Sequence, residues 1–206
     1  MNWNFYIYKS DTEEKLIRAC QKGDAIAQRE IYNKYSRKMM GVCMRYVNSE
    51  FEAEDILISG FMRVFDKIGQ YKHEGSFEGW IRRVMVNEAL GYIRKNKSIY
   101  LEVEIEKADY HKEANTEAYT GLEAEDLLKL VQQLPHGYKT VFNLYAIEGY
   151  SHKEIAEMLQ ISENTSKSQL SRARALLQQY LLNTEKKTVN TKTSYETPIA
   201  GAAAGI

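Results

Sequence analysis

Residues 162–174 read SENTSKSQLSRAR, and within them Glu163, Asn164, Lys167, Ser168 and Ser171 recur at steps of one and three. That spacing places all five on one stripe of an α-helix. An amide matches the paired donor and acceptor of adenine, a lysine reaches guanine or a phosphate, and hydroxyls bond to either. Arg172 and Arg174 follow further along, where a helix lying in a groove meets the sugar–phosphate backbone. A second polar set lies upstream. Arg83, Asn87 and Arg94 fall within about 40° of one another on an ideal helix, and Trp80 borders them. The loop just before carries Tyr71, Lys72 and His73; an aromatic and basic loop beside a polar ridge suits the capture of an unstacked base. A third stripe, Asp55, Ser59, Met62 and Asp66, runs at steps of four, three and four. A methionine on such a stripe is out of place on a free surface and in place at a protein interface.

Bond-making chemistry is not what these residues offer. The histidines, His73, His111, His136 and His152, include none placed three residues after a glutamate, as a helical di-iron site requires. Neither a phosphate-binding GxxxxGK[ST] loop nor a GxGxxG turn is present. Cys20 and Cys43 are far apart and form no CxxC pair, so they read as reduced thiols packed in helices. No enzyme activity, metal or cofactor is expected.

The elements that must position these side chains are helical. The chain has 206 residues with only two prolines and twelve glycines, few breakers for its length. Ser10, Asp11 and Thr12 are helix-capping types ahead of Leu16 and Ile17. Gly23 ends that short helix and Asp24 opens a long one with Ala27, Ile31, Tyr35, Val42 and Tyr46 on one face. A third helix is predicted from about Glu52 to Ile68, with Ala53, Leu57, Phe61 and Val64 inward. After the glycine-bearing loop 69–76, a fourth runs from about Phe77 to Lys97, held on one side by Phe77, Ile81 and Val84 and on the other by Val86, Leu90 and Ile93.

Residues 98–136 hold nine acidic and three basic side chains, against a net charge of zero for the whole chain. The acidic stretch 98–121 has little helical period and reads as a flexible linker. Helical patterning resumes at Leu122, stops at Pro135, and returns over Tyr138–Ile147. Ser151 and Glu154 have capping-box spacing, Ile155, Ala156 and Leu159 face inward, and Ser162 caps the last helix, whose apolar side is Leu170, Ala173 and Leu177. Two short helices joined by LQIS, with small Ala156 at their crossing, form a helix-turn-helix. Gln160 stands where the turn commonly has glycine. From about Asn183 the chain is expected to be disordered. No apolar run approaches the ~20 residues of a membrane span, and a cytoplasmic location is expected.

Three segments, in order, carry a resemblance. AEDILISGFMRVF (residues 53–65) resembles the polymerase-binding helix of region two of bacterial sigma factors. YKHEGSFEGWIRRVMVNEALGYIR (residues 71–94) resembles the segment that reads and melts the minus-ten element. LVQQLPHGYKTVFNLYAIEGYSHKEIAEMLQISENTSKSQLSRAR (residues 130–174) resembles region four, which reads the minus-thirty-five element. The chain is thus similar to the extracytoplasmic-function (ECF) group of the sigma-70 family over about residues 11–182. The resemblance implies an all-α chain of two small helical domains: region two at 11–97, a flexible acidic linker at 98–121, region four with its helix-turn-helix at 122–182, and a disordered tail at 183–206. It implies core RNA polymerase and promoter DNA as partners, with an anti-sigma protein as a further one.

By the same resemblance, Asp55, Ile58, Ser59 and Met62 contact polymerase. Tyr71, Lys72, His73, Trp80, Arg83, Asn87 and Arg94 serve the minus-ten element. Glu163, Asn164, Lys167, Ser168, Ser171, Arg172 and Arg174 serve the upstream one. The departures are local. Gly91 stands where the family has Asp or Asn, Ile58-Ser59 where it has Gln-Glu, and Thr165-Ser166-Lys167-Ser168-Gln169 where it has Thr-Val-Lys-Ser-Arg. The alternative reading is a helix-turn-helix regulator that binds operator DNA without polymerase.

Overall fold

The structure, a computed structural model, describes residues 13–96 and 124–193, with side chains for 13–96 and 128–182. The chain divides into two compact units, one on each side of the boundary between Val103 and Glu104. Every regular element among the described residues is helical, as the scarcity of breakers implies.

The first unit contains α1 (Glu13–Gln21), α2 (Ala25–Met44), α3 (Glu50–Lys67), a 3-10 turn (Ile68–Gln70) and α4 (Phe77–Lys95). Gly23 takes a φ of 82° between α1 and α2, a conformation that glycine adopts without a Cβ penalty. Asp24 then caps α2, its carboxylate accepting from the Ile26 and Ala27 amides at 2.8 and 3.1 Å. The expected stripe of α2 is the core: Ala27, Ile31, Tyr35, Val42 and Tyr46 are all buried. Each large apolar side chain so buried contributes roughly 1.5–3 kcal/mol.

Helices α2, α3 and α4 pack on one another, and α1 lies against α2 and the 3-10 turn. Glu13 ties α1 to α2, accepting from Lys34 at 2.6 Å and from the Tyr35 hydroxyl. α3 begins at Glu50, slightly ahead of expectation, with Ser49 as its N-cap residue. Its inward set is as expected, with Ile56 and Gly60 added. On α4, Phe77, Ile81, Val86 and Leu90 are buried, while Val84 and Ile93 are only half-buried. Met85 and Ala89, between those two sides, are fully buried and complete one broad inward face.

The second unit contains α5 (Ala124–Gln132), α6 (His136–Phe142), a π-helical turn (Asn143–Ile147), α7 (His152–Leu159) and α8 (Glu163–Thr193). Leu130, Val131 and Leu134 pack against Ala173, Leu176 and Leu177 of α8, with Tyr138, Phe142, Tyr180 and Leu181 around them.

Two expectations are corrected here. The helix predicted over Tyr138–Ile147 is α-helical only to Phe142; it then widens, with Glu148 N–H bonding to the Asn143 carbonyl at 2.9 Å. The wider register buries both Asn143 and Leu144 and leaves Tyr145 exposed. The last helix also runs past residue 183, where the tail was expected to begin. α8 continues to Thr193, because no proline or glycine interrupts the chain between Gln160 and Pro198.

The acidic linker 98–121, the capping residues Ser10 to Thr12 and residues 194–206 lie outside the described residues. Among the described residues, no helix is long and apolar enough to cross a membrane.

Candidate nucleic-acid interface

α4 presents the ridge. Ser76 caps it, accepting from the Gly79 amide at 3.0 Å. With the inward face taken up by packing, Arg83, Asn87 and Arg94 are all exposed and Trp80 is half-buried beside them. Trp80 stacks on Phe77 with ring centroids 5.7 Å apart and planes 13° from parallel, so its indole is anchored by one face.

The loop ahead of α4 is built differently from the expectation. Lys72 and His73 are exposed, but Tyr71 is only 8% exposed. Its ring packs against Phe77 and Trp80 at 5.1 and 5.6 Å and against His73 at 4.7 Å. Its hydroxyl donates to the Gly75 carbonyl at 2.9 Å. The free stacking ring predicted at Tyr71 is therefore a support beneath the loop, drawn inward by the apolar surface of Phe77. His73 sits above it at a φ of 60° and Gly75 at 80°. A non-glycine residue in that region costs about 1–2 kcal/mol, so the loop is held in shape by its clip and its packing. The start of the loop is fixed as well. The Ile68 carbonyl accepts from the Tyr71 amide at 3.2 Å and from the Gln21 side chain of α1 at 3.1 Å.

On α3, Asp55, Ile58, Ser59 and Met62 are all exposed. Ile58 is 54% and Met62 69% exposed, and Phe51, one turn before Asp55, is 72% exposed. Sequence reading passed over Phe51 because it precedes the predicted helix. Phe51, Asp55, Ile58 and Met62, at steps of four, three and four, thus lie exposed along one stripe of α3.

In the second unit, the capping box forms as predicted: Ser151 Oγ accepts from the Glu154 amide at 3.3 Å, and the Glu154 carboxylate accepts from the Ser151 amide at 2.8 Å. The turn is closed by Gln160 at φ 56° and ψ 45°, its amide and that of Ile161 both directed to the Ala156 carbonyl. Gln160 thus takes the left-handed conformation for which glycine is usual. Ile155 is buried, and Ala156 and Leu159 are half-buried at the crossing. Ser162 caps α8, accepting from the Thr165 amide at 2.9 Å.

The seven residues expected to face the upstream element, Glu163, Asn164, Lys167, Ser168, Ser171, Arg172 and Arg174, are all exposed along α8. Lys167 is paired with Glu163 at 2.8 Å. That hydrogen bond and charge hold the Glu163 carboxyl below its usual range and halve the free charge on the stripe. Ser168 donates to the Thr165 carbonyl at 3.0 Å, and the Arg174 guanidinium lies 5.8 Å from the Tyr145 ring centroid.

Sequence reading missed two residues behind this face. Ser166 is fully buried, and its Oγ lies 2.9 Å from Nδ1 of His152. Neither stands out in sequence, because a serine among polar residues carries no period.

Comparisons with known proteins give the family of the chain. The family model of sigma-70 region 2 matches residues 31–99, and that of sigma-70 region 4 matches residues 124–177. The ECF RNA polymerase sigma factor SigW of Bacillus subtilis is 32% identical over 187 residues, covering 82% of this chain and 96% of that protein. RNA polymerase sigma-H factor of Pseudomonas aeruginosa is 26% identical, covering 83% of this chain and 94% of the relative. Among solved structures, the sigma factor RpoE from Bartonella quintana, in complex with the anti-sigma factor NepR, matches with a TM-score of 0.47 at 20% identity. That match covers 74% of this chain and 95% of the other. The chain belongs to the ECF group of sigma-70 factors: it binds core RNA polymerase and directs initiation of transcription at specific promoters.

Proposed function

We propose that the work is divided between the two units, with residues 11–97 serving polymerase and the minus-ten element, 98–121 acting as a tether, and region four at 122–182, through its helix-turn-helix, serving the minus-thirty-five element. The α3 stripe of Asp55, Ile58, Ser59 and Met62 docks on polymerase. Lys72, His73 and Trp80 receive an extruded base over the Tyr71 ring, while Arg83, Asn87 and Arg94 hold the strand. Unstacking a base costs a few kcal/mol, offset by stacking on the loop, by phosphate contacts and by polymerase. Glu163, Asn164, Lys167, Ser168 and Ser171 enter the upstream major groove, and Arg172 and Arg174 meet its backbone. The protein makes and breaks no covalent bond and acts in the cytoplasm, where polymerase is.

One observation carries this reading: on both α4 and α8 every position of the proposed DNA stripe is exposed or borders solvent, while the apolar positions between them are packed. Permanganate probing of melted promoter DNA tests it. Holoenzyme carrying Arg83→Ala with Asn87→Ala is expected to keep polymerase binding and to lose minus-ten opening. Normal opening by that variant contradicts the assignment.

A further inference from the structure

The mount of α8 has features that go beyond its exposed face. Ser166 is the fourth residue of α8 and has no exposed surface. A hydroxyl sealed into a helix crossing requires a hydrogen-bond partner, and His152, the first residue of α7, supplies Nδ1 at 2.9 Å. The imidazole is held in turn. Its backbone follows the capping box of Ser151 and Glu154, and its ring stacks on Tyr145 with centroids 4.5 Å apart and planes 22° from parallel. Tyr145 belongs to the π-turn, pinned by the Glu148 and Tyr150 amides on the Asn143 and Leu144 carbonyls. The same Tyr145 ring lies beside Arg174, eight residues beyond Ser166 on α8.

Eight residues of helix span about 12 Å. α8 is thus tied at two separated points to one assembly of ring systems standing on the π-turn and α7. A two-point tie restricts rotation about the helix axis as well as tilt. Rotation by roughly 20° would carry a serine hydroxyl about 4 Å from the axis through about 1.4 Å, beyond the ~0.5 Å latitude of a hydrogen bond. An apolar side chain such as valine at position 166 would fill the crossing by packing, which tolerates sliding. A hydroxyl bonded to an imidazole is directional.

We infer that His152 is a positioning residue for promoter recognition, setting the rotation of α8 through its hydrogen bond to Ser166. The inference rests on the reading of the α8 face as the upstream DNA contact. The groups facing the His152 ring are Glu163 and Ser166 of α8 and Tyr145 of the π-turn, and Lys153 of α7 acts on Glu163 beside it.

The test uses full-length chain with core polymerase and a promoter fragment selected from a random-sequence pool by the wild-type holoenzyme. The quantity read is the affinity ratio between that fragment and one with a scrambled upstream element. His152→Phe keeps a stacking ring without the hydrogen bond. His152→Asn keeps a polar atom near the Nδ1 position without the stack, and Ser166→Ala removes the hydroxyl. Loss of one hydrogen bond is expected to lower the ratio about fivefold in His152→Phe and in Ser166→Ala. The pair combined should lose no more than the worse single variant, with the salt dependence unchanged because no phosphate contact is lost. His152→Asn should retain most of the ratio, which a merely structural role for the ring would not produce.

Wild-type discrimination by folded His152→Phe, or by Ser166→Ala, overturns the inference. Lys167→Ala separates the two levels. If it too leaves the ratio unchanged, the reading of the α8 face fails; if it lowers the ratio while the other variants do not, only the role of His152 fails.

Discussion

Replacing Gly60 with alanine is a sharp test of how α3 and α4 meet. A Cβ at Gly60 would lie 2.3 Å from the sulfur and 3.0 Å from the terminal methyl of Met85, which is itself fully buried. Alanine in a helix interior is worth about 1 kcal/mol over glycine. Forcing a methyl into a filled core costs about 1–3 kcal/mol. The net expectation for Gly60→Ala is a loss of about 0–2 kcal/mol.

Gly41 of α2 and Gly91 of α4 are internal controls, because a Cβ at either meets no atom within 4 Å. Gly41→Ala and Gly91→Ala keep the propensity gain and should stabilise by about 0.5–1 kcal/mol each. Urea denaturation followed by tryptophan fluorescence reads the first unit, since both tryptophans, Trp3 and Trp80, precede the acidic stretch. Combining Gly60→Ala with Met85→Ala should cost less than the two separately, because the cavity of one accepts the methyl of the other. If Gly60→Ala stabilises as much as Gly91→Ala, the close approach of the two helices is wrong. The helix bearing the proposed polymerase stripe would then not be set against the helix bearing the proposed DNA ridge as described.

Other outcomes follow from the same geometry. Tyr71→Phe keeps the packed ring and removes the clip to Gly75, so the loop should lose about 1 kcal/mol of preorganisation; open-complex formation should slow about fivefold with polymerase binding unchanged. Burial pushes the Cys20 thiol up to about 11 and the Cys43 thiol up to about 12, so neither should react with a disulfide reagent at pH 8 until the chain is unfolded. Rapid labelling of the native chain would show these helices to be loosely packed. Glu13 is held below its usual range by hydrogen bonds from Lys34 and Tyr35. Its stabilising contribution should be fully present above the ordinary value near 4.5 and fade as pH falls below it. Glu13→Gln should therefore lower stability at pH 7 and have little effect in strong acid, as thermal melts at both pH values will show.

Much of the fold was legible because its determinants are periodic. The stripe from Ala27 to Tyr46, the cap at Asp24 and the box at Ser151 and Glu154 each depend on near neighbours in sequence, and each formed as read. What was not legible depends on contacts between distant segments. Tyr71 looked like a free ring in a polar loop; only the approach of Phe77 and Trp80 makes it a support. The bond between His152 and Ser166 joins two helices through residues whose types announce nothing. The π-turn hides because Leu144 and Tyr145 are both apolar enough to continue an α-helical face, and the choice is made by core packing. The run of the last helix on to Thr193 was not expected, because a polar stretch was read as disordered although no proline or glycine in it breaks a helix.

Run-off transcription with purified core polymerase tests the central claim most directly. On a template pool of genomic fragments, addition of this chain should produce transcripts from discrete start sites that core enzyme alone does not use. The Arg83→Ala, Asn87→Ala variant should bind core enzyme equally well and yield few of them. Transcripts of the same pattern and amount with and without the chain would contradict the account.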